Sequence, residues 1–274
     1  VRLVGSEMCI RDRYIRYSTQ YFRSSVKILI KNDAEETSAA EVLYKNLTDK
    51  KGSSHIRDEI QLFSAYPLVF QTAKELRFDV SYFIIGTIRT SESYISPIKV
   101  DVADSITQNS RSFSFEIDII DDERYILRSS RLDVDHEYLF DQEIKIEDYS
   151  FIVSKNIEYI NTERVIDFSS CPTTVVRFEN LKKVSRKYQS IIEVRTIEKE
   201  SNVLELSVLQ EDQIKGVTFL NKLVENYEEN QMEKKMRSSL STVDFIDNEI
   251  SVIADSLLLV ESQLEDYKLS LIHI

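Results

Sequence analysis

The clearest short-period pattern near the start of the chain is YFRSSVKILI, where Val26, Ile28 and Ile30 fall on one side of an extended backbone and Lys27 and Leu29 on the other. A two-residue period of this kind predicts a strand with one buried face. Residues 33–54 are mostly polar, carry Gly52 beside paired serines, and predict a loop around a weak helix at 39–47. From Ile56 to Leu76 the period lengthens, with Ile60, Phe63, Val69, Ala73 and Leu76 recurring at helical intervals. Pro67 cannot donate to a preceding turn but fits the first turn of a new helix, so two short helices meeting near Ala65 are predicted. Phe78 to Ile88 returns to a strand pattern, broken only by Gly86.

Between about Asp104 and Asn180 the pattern becomes β-rich. Phe113, Phe115, Ile117 and Ile119 alternate with Ser114, Glu116 and Asp118, and Asp121 and Asp122 mark a turn before Tyr125 to Leu127, which is a hairpin signature. Further strands are predicted at 143–146, 149–153 and 175–178, the spacing of a small sheet or sandwich. Ile191 to Ile197 and Val203 to Leu209 predict another strand pair, joined by the polar turn at 199–202.

After Glu211 the pattern turns helical and stays so. Val243, Ile250, Leu257 and Leu264 recur every seven residues, and Ile246, Ile253, Val260 and Tyr267 form a second row three residues later. Such 3-4 spacing predicts a coiled-coil seam. One helix over 211–268 would reach about 87 Å at about 1.5 Å per residue, more than a small base can cover. The seam therefore calls for a returning helix or a neighbouring subunit, and an isolated 14–268 fragment should self-associate or fray beyond Ser238. The competing reading is a helix packed on the β block, whose stripe would ordinarily be wider. The fold class predicted is α/β in the broad α+β sense: a mixed-sheet base, an inserted β-rich module and a long C-terminal coiled-coil helix.

The two ends change the picture. LVGSEMCIRDR, Leu3 to Arg13, resembles the in-frame translation of a transposon-based sequencing adapter, and LSLIHI, Leu269 to Ile274, its reverse complement. Both are set aside as non-biological. The expected organisation is then 1–13 adapter, 14–104 the first part of the base, 105–180 the β-rich insert, 181–237 the return to the base and start of the long helix, 238–268 the coiled-coil arm, and 269–274 adapter.

The net charge of −12 argues against nucleic acid as a partner, because no basic stripe is present to meet a phosphate backbone. No apolar run is long enough to span a membrane. With Cys9 in the adapter run, Cys171 is the lone thiol and is read as an inert strand-edge residue, so no disulfide is predicted. Gly52, Gly86 and Gly216 stand apart from any Lys-Ser or Lys-Thr pair, which excludes a phosphate loop.

Asp133, Asp135, His136, Glu137 and Asp141 offer metal-ligand chemistry but lack the glycine of a calcium loop, so a solvated loop is the favoured reading. Adjacent Asp121 and Asp122 have the chemistry of a glycosidase pair but read as turn formers. His55 has no nucleophilic partner in sight and reads as a helix-start residue. No catalytic residue, cofactor site or metal site is predicted.

Three stretches carry a family likeness. YIRYSTQYFRSSVKILIKND, Tyr14 to Asp33, resembles the segment after the first membrane span of Wzz-type polysaccharide chain-length determinants, especially those fused to tyrosine autokinases in Bacteroidetes, although Gln20 stands where proline is common. SSHIRDEIQLFSAYPLVFQTAKELRFDVSYFIIG, Ser53 to Gly86, is similar to the family's next stretch, with Ala65 and Tyr66 replacing a polar and basic pair. ESNVLELSVLQEDQIKGVTFLNKLVENYEE, Glu200 to Glu229, resembles the strand and helix before the family's coiled coil, with Asn202, Asn221 and Tyr227 at matching places.

The resemblance implies a non-catalytic periplasmic α/β base, a protruding helical hairpin, flanking inner-membrane helices and a ring-like homo-oligomer working with the polysaccharide assembly and export machinery. Many relatives carry a cytoplasmic tyrosine autokinase beyond the second span. The alternative is a periplasmic adaptor of an efflux or secretion system, which also joins β modules to a helical hairpin but should show a Gly-rich lipoyl-like half-motif. A polysaccharide-processing enzyme using the acidic loops is a third reading.

Overall fold

The computed structural model describes residues 18–30, 52–86, 89–102, 112–129, 134–146, 149–157, 159, 171–198 and 202–272. The expected helix at 39–47, the run 1–13, turn residues 199–201, Asp133 and the side chains of His55 and Tyr267 lie outside the described residues. The chain divides into two compact units, one ending at Val224 and one beginning at Glu225. The fold class is mixed α+β, ending in a long helix.

The first unit holds two packed parts. One is a three-stranded sheet in which β12 (Val203–Gln210) lies between β1 (Phe22–Leu29) and β11 (Ile192–Thr196). Phe22 faces Gln210 and Leu29 faces Val203, so the first and last strands of this unit pair along their full length. Leu204, Leu206 and Val208 are buried, while Leu29 and Leu209 turn outward, as a two-residue period requires.

Helices α1 (Gly52–Phe63), α2 (Tyr66–Glu75), α3 (Leu181–Ile191) and the start of α4 (Gln213–Ile272) belong with this sheet. Pro67 sits in the first turn of α2, where its missing N–H costs nothing. The end of α2 is closed by two backbone bonds, Arg77 N–H to Lys74 carbonyl and Phe78 N–H to Ala73 carbonyl, with Arg77 at φ 54°. That left-handed position ordinarily takes glycine. Here the arginine donates to the Val102 carbonyl at 2.5 Å, tying the end of the helix to a strand. Phe78, Tyr188 and Phe219 then meet as one aromatic cluster, with ring centroids 5.0 Å (Phe78–Tyr188), 6.0 Å (Phe78–Phe219) and 4.6 Å (Tyr188–Phe219) apart.

The second part is a β-sandwich. A six-stranded sheet runs in the order β3 (Thr90–Glu92), β2 (Val80–Ile85), β10 (Thr174–Phe178), β5 (Phe113–Ile119), β6 (Arg124–Ser129), β7 (Val134–Leu139). A three-stranded sheet, β4 (Ile98–Val102), β9 (Tyr149–Lys155), β8 (Glu143–Ile146), covers its inner face. The core between them includes Ile98, Val100, Val102, Ile144, Phe151 and Val153 from one sheet and Phe113, Phe115, Ile117, Tyr125, Leu127, Val176 and Phe178 from the other. Phe115 stacks on Phe151 at 5.0 Å, and Cys171 packs half-buried at the edge of this core.

One expectation is corrected: every strand pairing among the described residues is antiparallel, so no mixed sheet is found among them. The sandwich draws strands from both sides of residue 104, with β2, β3 and β4 before it and β5 to β10 after it. Val100 and Val102 pair beside Val153 and Phe151 of β9, and with Ile98 they share the buried core with Phe113, Phe115 and Phe178 of the facing sheet, all later in the chain.

Candidate functional site: an exposed apolar face on the long helix

Helix α4 is one element of 60 residues, about 90 Å long at about 1.5 Å per residue. Asp212 starts it. One carboxylate oxygen accepts from the backbone N–H of Ile214 at 2.7 Å and of Lys215 at 3.1 Å, while the other accepts from the Tyr94 N–H at 2.6 Å. A capping aspartate both satisfies free helical N–H groups and complements the helix dipole. The next turns bury Phe219, Leu220 and Leu223.

From Met232 to Leu264 every residue of α4 is exposed. The expected seam residues Val243, Ile246, Ile250, Ile253, Leu257, Val260 and Leu264 stand on one face of the helix with exposures between 48% and 64%. Tyr267 continues the spacing along the same helix. A third row, Phe245, Val252 and Leu259, also repeats every seven residues and lies outside the two-row seam that the sequence predicts. Together the three rows cover an arc of roughly 160° at 3.6 residues per turn.

Exposed apolar area on this scale on one helix marks a surface that another element covers. The charge around it is one-sided. Between Ser238 and Tyr267 stand Asp244, Asp247, Glu249, Asp255, Glu261, Glu265 and Asp266, and no lysine or arginine. The preceding turn is basic, with Lys234, Lys235 and Arg237, the last pairing with Glu233 at 2.6 Å.

The other candidate residues are dispersed. Asp121 closes the β5–β6 turn: one oxygen accepts from the N–H groups of Glu123 at 2.9 Å and Arg124 at 2.8 Å, the other from the Arg124 guanidinium at 3.0 and 2.8 Å. The Glu123 N–H, and next the Arg124 side chain, hold this carboxyl below the usual carboxylate range. Asp122 instead meets Lys155 at 3.3 Å, so the adjacent acids do not converge. On β7, Asp135 faces Arg128 and Glu137 faces Arg124, each at 3.6 Å. Among the described residues no group of three or more His, Cys, Asp or Glu could hold a metal ion.

A cavity of about 340 Å³ lies between α2, β2, β3 and β4. Its floor holds the buried ion pair of Lys215 and Glu92, with the ammonium 4.8 Å above the Phe78 ring and 3.5 Å from the Ser81 hydroxyl. Tyr82 reaches across it to accept the Val100 N–H at 2.9 Å. Burial is the main cause that pushes this phenol up to about 12. These groups bind one another across the fold, a structural use of the polar chemistry.

No family model matches the chain, and no curated protein matches it. Among solved structures it is similar to FlgL from Xanthomonas campestris at 11% identity and a TM-score of 0.25. The match covers 68% of this chain and 54% of FlgL, so the chain spans about half of that protein's length. A likeness this slight bears on neither fold nor role. Among the described residues no helix is long and apolar enough to cross a membrane.

Proposed function

We propose that this chain is a non-catalytic scaffold region of a Wzz-type polysaccharide chain-length or export protein, working at the periplasmic face of a bacterial inner membrane. One observation carries the reading: the described residues of the three stretches that resemble the family belong, as far as Val224, to one compact unit. β1, from the first stretch, pairs with β12, from the third, over eight residues. Phe78, from the second, packs on Phe219 from the third. The third stretch then runs without a break into the long helix.

The work of such a region is positional. A base with its own core fixes the first turns of α4, and the exposed apolar face of α4 offers the contact through which protein subunits or segments are held in register. A homo-oligomer contacting the polymer assembly and export machinery fits this design, and the acidic surface suits neither nucleic acid nor phosphate-rich substrates.

The test is made in the source bacterium. Deleting the gene should change the length distribution or the surface yield of a capsular or exopolysaccharide resolved on a gel, and the unaltered gene should restore it. Complementation with Ile250→Asp/Leu257→Asp, two exposed positions on α4, should leave the base folded and fail to restore the distribution. An unchanged polymer after deletion would sink the reading.

A further inference from the structure

We infer that the apolar face of α4 between Val243 and Leu264 seats a basic amphipathic helix, one whose apolar stripe is flanked by lysine and arginine, and not the same segment of a second copy. The argument stands on α4 alone and does not depend on the polysaccharide reading.

Any occupant of this face must bring an apolar stripe, because the two adjacent seam rows from Val243 to Leu264 are apolar throughout, with only Thr242, Glu249, Ser256 and Gln263 standing between them and the Phe245 row. It must also lie within about 8–10 Å of the α4 axis, the distance at which helices pack. At that separation it meets the residues bordering the rows. Asp247 lies beside Val243 and Ile250, and Glu261 beside Leu257 and Leu264, at the three- and four-residue spacings of helix neighbours, while Glu249 stands between Phe245 and Ile246. All three are carboxylates and all are exposed. Physiological salt screens over about 8 Å, so these charges reach the partner only where its flanking side chains come closer to them than the two axes are to each other, and the contact must weaken as salt rises.

A second copy of the segment would double a run of five carboxylates, Asp244, Asp247, Glu249, Asp255 and Glu261, that holds no positive charge. Like charges brought together this way weaken helix pairing, and charges beside a seam are what select the partner. A lipid surface meets the same objection, since helices that lie on anionic membranes carry lysine and arginine beside the apolar face. A helix bearing lysine or arginine at its flanks removes the conflict and gains charge-assisted contacts.

Two synthetic amphipathic peptides with identical Leu/Ile heptads test this, one with lysine and one with glutamate at the flanking positions, titrated into the full 274-residue chain. At low salt the lysine peptide should bind at least about tenfold more tightly, and the gap should shrink at high salt. In Asp247→Lys/Glu249→Lys/Glu261→Lys the preference should reverse, with helicity by circular dichroism unchanged. In Ile250→Asp/Leu257→Asp binding should be lost.

Binding that survives Ile250→Asp/Leu257→Asp is charge adsorption and overturns the proposal. So does equal binding of the two peptides, binding of neither, or unreversed preference in the lysine variant. Sedimentation supplies the remaining arm. A dimer of the unaltered chain that dissociates on Lys234→Glu/Lys235→Glu/Arg237→Glu would identify an antiparallel second copy, its basic turn set against the acidic segment, and would also overturn it. Stable recruitment to vesicles of anionic lipid through this face would do the same.

Discussion

Lys215 and Glu92 are the residues at which the fold is most vulnerable to a single change. Their side chains are 7% and 11% exposed, so each charge has given up most of its water and depends on the other. Removing one partner leaves an uncompensated buried charge, a loss of about 3–5 kcal/mol, whereas replacing both with apolar residues of similar size is often nearly neutral. Lys215→Met alone should therefore lower the urea midpoint strongly, and adding Glu92→Leu should recover most of the loss. Additive losses would mean that each side chain has some other main role. Nothing in sequence announces this pair. The two residues lie far apart in the chain, and Glu92 sits in Thr-Ser-Glu, a strand too short to show alternation.

Among the elements, α4 combines a free length with one tight joint. At Gly216 an added methyl would come 2.9 Å from the Ser24 hydroxyl oxygen and 3.4 Å from its Cβ, so the glycine lets the helix close on β1. Alanine in a helix interior ordinarily gains about 1 kcal/mol over glycine. Gly216→Ala alone should show none of that gain, and Gly216→Ala made in a Ser24→Ala background should recover about 0.5–1 kcal/mol of it in denaturant unfolding. A full gain from Gly216→Ala alone would show that the approach is looser than described.

Element by element, legibility in the sequence followed the local period. The β5–β6 hairpin, β1, the split near Ala65 and α4 all carry their pattern in consecutive residues, and each formed close to where it was expected. α3 is not predicted from the sequence, because only Leu181, Val184 and Tyr188 of its buried positions are apolar, the fourth is Ser185, and Lys182, Lys183, Arg186 and Lys187 stand between them. The long-range pairing of β4 with β9 cannot be read from either strand alone. The row Phe245, Val252, Leu259 was present in the sequence and hidden by the better-fitting seam beside it.

The molecule as a whole carries a marked alkaline liability. Tyr82, Tyr125 and Tyr188 are all raised, with burial as the largest cause in each. The hydroxyls of Tyr125 and Tyr188 also lie buried with no hydrogen-bond partner among the described residues. An unfolded tyrosine ionises near pH 10, and a folded one held above that value stays neutral. The stability this contributes is complete below about pH 10 and is lost as pH climbs from there through the folded value, for Tyr82 about 12. Phenolate absorbance and loss of helicity should rise together in that window, and Tyr188→Phe, which keeps the ring and removes the group that ionises, should move unfolding to higher pH. Phenolate appearing well before helicity falls would mean these rings ionise in place.

The repeat on α4 sets the path that any companion can follow. Rows spaced every seven residues slip by roughly 20° per repeat against a straight helix of 3.6 residues per turn. From Val243 to Leu264 that amounts to about 60°, so a straight rod would leave the stripe before reaching its end. Whatever settles there must wind around α4 with a left-handed superhelical twist, and twisting together would carry the two rods as one rope.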